Sequence, residues 1–138
     1  YLLDTANGPR TVGCYKAGVL WRCPVSFWFY NNSAEAVQTV GWMSWTNGDN
    51  EQVTIMAVKT IDPGVAYIKA GQPSERIQKN ISIGIPIIFN WSNAMFGYSL
   101  NPVALDPDGH TLYEYRYPKN ITVHRSEDYR WYPVDRDG

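Results

Sequence analysis

The sequence predicts an all-β fold, an antiparallel β-sandwich of roughly eight to ten short strands in one domain over residues 1–138. Three observations predict it. Turn-forming sequences rich in Asn, Asp, Gly and Pro recur about every ten to fifteen residues. The runs between them are rich in Val, Ile, Thr, Tyr and Trp, which favour strands. No stretch sustains a period of about 3.6 residues for more than one or two turns.

The clearest strand runs from Ile81 to Phe89. Its odd-numbered positions are all large and apolar, so we expect Ile81, Ile83, Ile85, Ile87 and Phe89 to share a core-facing side. Pro86 cannot donate a ladder hydrogen bond, which predicts an edge strand or a bulge at this point.

A hairpin is predicted in the middle of the chain. The turn Asn47–Asn50 would join Gly41–Trp45 to Glu51–Ile61, a segment whose weak alternation indicates packing on both faces. A second turn, Asp62-Pro63-Gly64, would lead into Val65–Ala70.

Three segments in the second half of the chain carry weaker signals. Ser74–Lys79 is the best helical candidate, at one or two turns, and could equally be a loop. Ile121–Arg125 is a candidate strand. The tail from Ser126 contains Tyr129, Trp131 and Tyr132, which predicts that it packs onto the sandwich.

Cys14 and Cys23 lie nine positions apart around Gly18, which predicts a hairpin disulfide rather than two unpaired buried thiols. Four Asn-x-Ser/Thr sequences, at Asn31, Asn80, Asn90 and Asn120, are candidate glycan acceptors. Together these features predict a secreted or extracellular protein. The start at Tyr1 indicates either a removed leader or an excised domain.

Charge and hydropathy exclude some partners. The net charge is −1 with scattered basic residues, so no nucleic-acid partner is expected. No apolar run is long enough for a transmembrane segment. Neither His lies within twenty residues of a Cys, and no Cys-x-x-Cys pair occurs, so no metal and no cofactor are expected.

Catalytic signals are weak. His110 and His124 could form an acid–base or metal site with neighbouring acids, but two unrelated surface histidines are the simpler interpretation. Asp106 and Asp108 resemble the opening of a calcium loop without its remaining ligands. No nucleophile elbow, phosphate loop or zinc-protease motif is present. An enzyme is therefore less expected than a non-enzymatic protein.

Aromatic residues carry the main functional signal, since 20 of the 138 residues are Trp, Tyr or Phe. The segment 91–98 is a polar–aromatic loop that could form a binding lip, an interface or a flap folded onto the core. Tyr113, Tyr115 and Tyr117 form a one-face ladder that could point inward or outward, with inward slightly favoured because Glu114 and Arg116 prefer water. Trp42 and Trp45 form a third, weaker group.

The predicted function is non-enzymatic recognition of a carbohydrate or a membrane-lipid headgroup, with the binding part of a toxin as one form of it. The predicted apolar contacts are Trp91, Phe96, Tyr98, Tyr113, Tyr115 and Tyr117, and the polar partners are Asn93, Asp108 and Arg116. One alternative is a coat, fibre or adhesin subunit that buries its aromatics in a homo-oligomer. Another is a small secreted hydrolase.

Overall fold

A computed structural model describes residues 1–3, 5–28 and 34–134. These residues form eleven strands in three antiparallel sheets, together with three short 3₁₀ turns, so the all-β antiparallel prediction is confirmed. The strands are β1 (Leu2–Leu3), β2 (Arg10–Ala17), β3 (Leu20–Trp28), β4 (Val37–Thr46), β5 (Gln52–Thr60), β6 (Tyr67–Ala70), β7 (Ile77–Asn80), β8 (Ile87–Trp91), β9 (Val103–Leu105), β10 (Thr111–Arg116) and β11 (Arg130–Pro133).

Two of the sheets enclose the main core. One has the order β4-β5-β8, and the other has the order β11-β10-β9-β6-β7. The core contains Val58 and Phe89 from the first sheet and Ile68, Ala104 and Trp131 from the second. Alternate residues of paired strands project from the same face, so this set of buried side chains defines the inner face of each sheet.

The third sheet, β1-β2-β3, covers the outer face of β4 at very short range. A Cβ added at Gly13 would lie 2.6 Å from Cε of Met43, and a Cβ added at Gly41 would overlap the hydroxyl of Thr11. Farther along, the ring of Tyr15 lies 5.9 Å from that of Trp45. Glycine at both positions therefore lets the hairpin backbone approach β4.

The predicted disulfide is present. Cys14 of β2 is bonded to Cys23 of β3, across the hairpin that these strands form. Closing a loop of this size stabilises a fold by about 2–3 kcal/mol in chain-entropy terms. The N-terminal hairpin is thus held covalently as well as by its ladder.

The prediction of one long strand from Ile81 to Phe89 is wrong at its N-terminal half. A tight turn with Gly84 at φ 75° brings Ser82 and Ile85 into an isolated bridge, and β8 starts only at Ile87. Ile83 and Ile85 are consequently exposed, whereas Phe89 is fully buried. The glycine's access to positive φ outweighs the apolar alternation. β8 is an edge strand, as the position of Pro86 predicted.

The middle hairpin is confirmed, with β4 and β5 paired from Val37↔Thr60 to Thr46↔Gln52. β5 packs on both faces, since Met56 lies in the main core and Ala57 is buried on the other side beneath Gly41. The helical candidate instead forms the 3₁₀ turn Pro73–Glu75 followed by β7.

The C-terminal segment packs onto the sandwich as predicted. β11 pairs with β10, and Trp131 is buried in the main core. The candidate strand Ile121–Arg125 is wrong, because these residues form bends and an unpaired connection. Within the described ranges, no helix is long and apolar enough to cross a membrane.

Gly41→Ala should lower the free energy of unfolding by about 1–3 kcal/mol, because its Cβ would meet the Thr11 hydroxyl on the closely packed hairpin. Gly48→Ala is the matched control: no atom lies within 4 Å of its added Cβ, and a change below about 0.5 kcal/mol is expected. Urea unfolding followed by tryptophan fluorescence measures both. Equal stability of the two variants would contradict the close approach.

Candidate functional site

The aromatic loop is fixed to the sheet by one buried hydroxyl. Thr54 Oγ1 donates to the carbonyl of Asn93 at 2.7 Å and accepts from the amide of Met95 at 2.9 Å. Oγ of Ser44 lies 3.3 Å from the same hydroxyl, and Oε1 of Gln52 accepts from the amide of Ala94 at 3.1 Å. These hydrogen bonds hold the segment that follows β8 in place where it crosses β5 toward β4.

Phe96 and Tyr98 stand at the surface at the end of this crossing. Their rings are stacked, with centroids 5.4 Å apart and planes inclined by 4°. The two residues are 70% and 63% exposed, which is unusual for neighbouring aromatics that pack on each other. The loop therefore presents an accessible flat ring surface.

A groove of about 440 Å³ lies between this loop and the N-terminal hairpin, and we call it the β4 groove. Strand β4 forms one wall, since among the described strands it pairs only with β5 and is an edge strand. The lining residues are Phe27, Trp42, Met43, Ser44, Ala94, Met95, Phe96 and Gly97. None of these side chains carries a charge.

Trp91 does not belong to the exposed loop. It ends β8 and is buried in the main core, stacked on Phe89 at 5.8 Å, and its indole N–H donates to the carbonyl of Glu75 at 3.0 Å. Its predicted place beside Phe96 and Tyr98 is corrected, because the β8 ladder reaches Trp91 opposite Thr54. Asn93 helps to hold the loop through its backbone carbonyl, which accepts the hydrogen bond from Thr54.

The tyrosine ladder is half-buried and leans on the core. Tyr113 and Tyr115 pack against the main core, which matches the inward alternative. The Tyr113 hydroxyl donates to Oδ2 of Asp62 at 2.7 Å, and this bond raises the pKa of Tyr113 to about 12. Burial raises the pKa of Tyr115 to about 12. Both phenols are therefore neutral structural groups at ordinary pH.

Tyr129 joins the two aromatic groups that the sequence suggested separately. Its ring lies 4.5 Å from that of Tyr115 and 4.8 Å from that of Tyr117, and its hydroxyl donates to the carbonyl of Gly97 at 3.2 Å. Sequence analysis placed Tyr129 only in a packed tail. The contact depends on long-range placement of the 126–128 turn, for which the sequence holds no local signal.

Arg116 is held by contacts within the five-stranded sheet and the segment that follows β10. It forms an ion pair with Glu114 at 2.9 Å, donates to the carbonyl of Tyr117 at 2.9 Å and lies over the ring of Tyr132. The guanidinium of Arg116 therefore has its partners within the protein. Arg116 is also not among the residues that line the β4 groove.

Asp108 lies in the β9–β10 turn and is not among the residues that line the β4 groove. In this turn, Asp106 accepts hydrogen bonds from the amides of Asp108 and His110, and the His110 amide bond lowers the pKa of Asp106. Ligand atoms of these three residues lie within 4.8 Å of one another. The turn itself explains this arrangement, since an Asp side chain commonly bonds the amides that follow it.

The two histidines do not share a site. His110 precedes β10, whereas the ring of His124 lies 4.7 Å from that of Tyr117 beyond the other end of the strand.

No family model matches the chain, and comparison with curated proteins and solved structures finds no significant match. Function is therefore inferred from the chemistry of these side chains.

The raised pKa of Tyr115 predicts that stability falls as pH rises from about 10 to about 12. Above its ordinary pKa the phenol ionises in the unfolded chain but stays protonated in the fold, so rising pH favours unfolding. Tyr115→Phe should flatten this decline, while Tyr98→Phe, on an exposed ring, should not. Denaturant unfolding across this pH range measures the slope, and equal slopes for Tyr115→Phe and the unchanged protein would refute the assignment.

Proposed function

We propose that this protein is a non-enzymatic recognition module that binds carbohydrate in the β4 groove. The observation that carries the proposal is the set of rings around this groove, Phe27 from β3, Trp42 from β4 and Phe96 from the loop. A ring face offers an apolar surface to the C–H face of a sugar and requires no charge. The groove volume of about 440 Å³ falls in the range of small-ligand sites.

Polar groups beside the rings support a hydroxyl-rich ligand. Ser44 contributes its hydroxyl, and β4 has no strand partner on its outer edge within the described chain. The backbone of an edge strand presents alternating donors and acceptors, which suit the hydroxyls of a sugar. Orientation by such groups, with rings supplying contact area, is the usual arrangement in ligand pockets.

The uncharged lining also favours carbohydrate over an anionic lipid headgroup. Among the described residues, no Lys, Arg, His, Asp or Glu lines the β4 groove, so this lining offers neither a phosphate partner nor an acid–base pair. The same feature supports a non-enzymatic role for the groove. A glycosidase acting on a sugar there would typically need a pair of carboxyl groups beside the ligand.

A secreted location fits this role. The Cys14–Cys23 disulfide is typical of an oxidising environment. The acceptor asparagines Asn80, Asn90 and Asn120 are all exposed, as glycan attachment requires, while Asn31 lies outside the described residues. Extracellular carbohydrate would be accessible to such a protein.

An assembly subunit is the second candidate, and a different surface favours it. Ile83 and Ile85 at the turn before β8 and Ile88 on its outer face are all exposed. Contiguous exposed aliphatic side chains are typical of protein interfaces. Sizing by light scattering tests this candidate: a stable homo-oligomer that Ile85→Ser dissociates would support it, and a monomer at all concentrations would exclude it.

Replacing Phe96 by Ala should weaken carbohydrate binding about tenfold or more, because a stacked ring contributes on the order of 1–3 kcal/mol. Phe96 is largely exposed, so the fold should be unchanged. A glycan array identifies the ligand, and titration calorimetry then compares the variants. Trp21→Ala, which alters an equally exposed ring outside the groove, is the matched control. Absence of any glycan binding, or equal loss in both variants, would refute the proposal.

A further inference from the structure

The tip of the β2–β3 hairpin is apolar and exposed. Ala17 pairs with Leu20, which leaves Gly18 and Val19 as a two-residue turn, with Gly18 at φ 64°. Val19 is 94% exposed, and Leu20 and Trp21 are each 66% exposed. Hairpin turns in soluble domains usually carry polar residues, so three consecutive apolar side chains at this position require an explanation.

The charges on the hairpin itself have a single sign. The hairpin from residue 10 to residue 28 contains Arg10, Lys16 and Arg22 and no acidic residue. The whole chain has 12 basic and 13 acidic residues, so the remainder carries nine basic and 13 acidic ones. Lys16 is the direct cross-strand partner of Trp21, and Arg22 follows it. The basic groups therefore adjoin the exposed apolar ones.

The hairpin is also stiff. The disulfide joins Cys14 and Cys23, immediately below the pairs that carry Lys16, Trp21 and Arg22. At its base the hairpin is packed on β4 through Gly13 and Tyr15. A preformed element loses little conformational entropy on binding, so exposed apolar groups at its end can be used efficiently.

We propose that this hairpin tip binds the surface of a membrane containing anionic lipid. Val19, Leu20 and Trp21 enter the interfacial region, where Trp side chains are favoured, and Lys16 and Arg22 contact the anionic headgroups. Apolar insertion and basic contact are the two terms that hold interfacial proteins on bilayers. This site lies outside the β4 groove and does not depend on carbohydrate binding there.

The orientation on the membrane follows from the neighbouring turn. β2 and β4 run alongside each other in the same direction, because Thr11, Gly13 and Tyr15 meet successive positions of β4. The Asn47–Asn50 turn with Asp49 and the adjoining Glu51 therefore lie at the same end as the tip. These acids oppose contact with anionic lipid, so the hairpin meets the bilayer with its tip first, with Lys16 and Trp21 on the face away from β4 and Arg22 on the face toward it.

Vesicle co-sedimentation of the full chain with its disulfide intact tests the proposal. Phosphatidylcholine vesicles with added phosphatidylserine should bind the protein, and pure phosphatidylcholine should bind it weakly. Leu20→Ser/Trp21→Ser should reduce binding about tenfold or more through lost apolar contact. Lys16→Gln/Arg22→Gln should reduce it by a similar factor, since each basic group contributes about 1 kcal/mol near such a surface.

Insertion is measured separately from charge attraction. Lipids brominated on their acyl chains should quench part of the tryptophan fluorescence. The Trp21→Phe variant should lose that quenching and still bind the vesicles. Phe96→Ser/Tyr98→Ser, which changes exposed rings elsewhere, is the control and should bind vesicles normally. Absence of vesicle binding, full binding by Leu20→Ser/Trp21→Ser, or quenching unaffected by Trp21→Phe would each overturn the proposal. Glycan titrations made without lipid test the β4 groove separately, so a failure of membrane binding and a failure of carbohydrate binding can be told apart.

Discussion

Coverage of strand β4 on both faces is the constraint on which the rest of the structure depends. The five-stranded sheet buries its inner face, and the β2–β3 hairpin buries the outer face of β4. A strand covered on both faces has no solvent-exposed face, which explains why five consecutive residues from Val37 to Gly41 are buried, the polar Gln38 and Thr39 among them. It also explains Gly41, since an added Cβ there would overlap the Thr11 hydroxyl and lie 3.3 Å from Cβ of Ala57.

The edges of the two core sheets are closed by side chains rather than by additional strands. The indole of Trp131 on β11 donates to Oγ1 of Thr39 on β4 at 3.0 Å, inside the core. On the opposite side, Lys79 of β7 donates to the carbonyl of Ile88 on β8 at 2.6 Å. These bonds satisfy polar groups that an open sheet would leave exposed to other chains. The Trp131–Thr39 hydrogen bond closes the sheet edge near the start of β4, and the β4 groove lies along the part of the strand that follows Thr39.

Local signals in the sequence predicted the fold well where they acted over short distances. The Asn47–Asn50 turn and the cysteine spacing each specify a hairpin, because two strands joined by a short turn can pair with each other only in antiparallel orientation. The Ile81–Phe89 alternation failed because a single glycine turn reverses the chain without altering the pattern. The sequence grouped Trp91, Phe96 and Tyr98 in one aromatic loop, of which Phe96 and Tyr98 are exposed and Trp91 is buried. The places of Phe27 and Tyr129 were not predictable, since they depend on the packing of the hairpin and of the 126–128 turn.

The two proposed surfaces share one structural element. Phe27 near the base of β3 lines the groove, and Trp21 lies near the tip of the same strand, with Cys23 between them bonded to β2. The groove lining carries no charge, whereas the tip has only basic groups. We therefore expect the two surfaces to bind different ligands, and the disulfide-bonded hairpin that joins them would fix the distance between these ligands. A carbohydrate bound beside β4 would thus be held at a constant height above a membrane contacted by the tip.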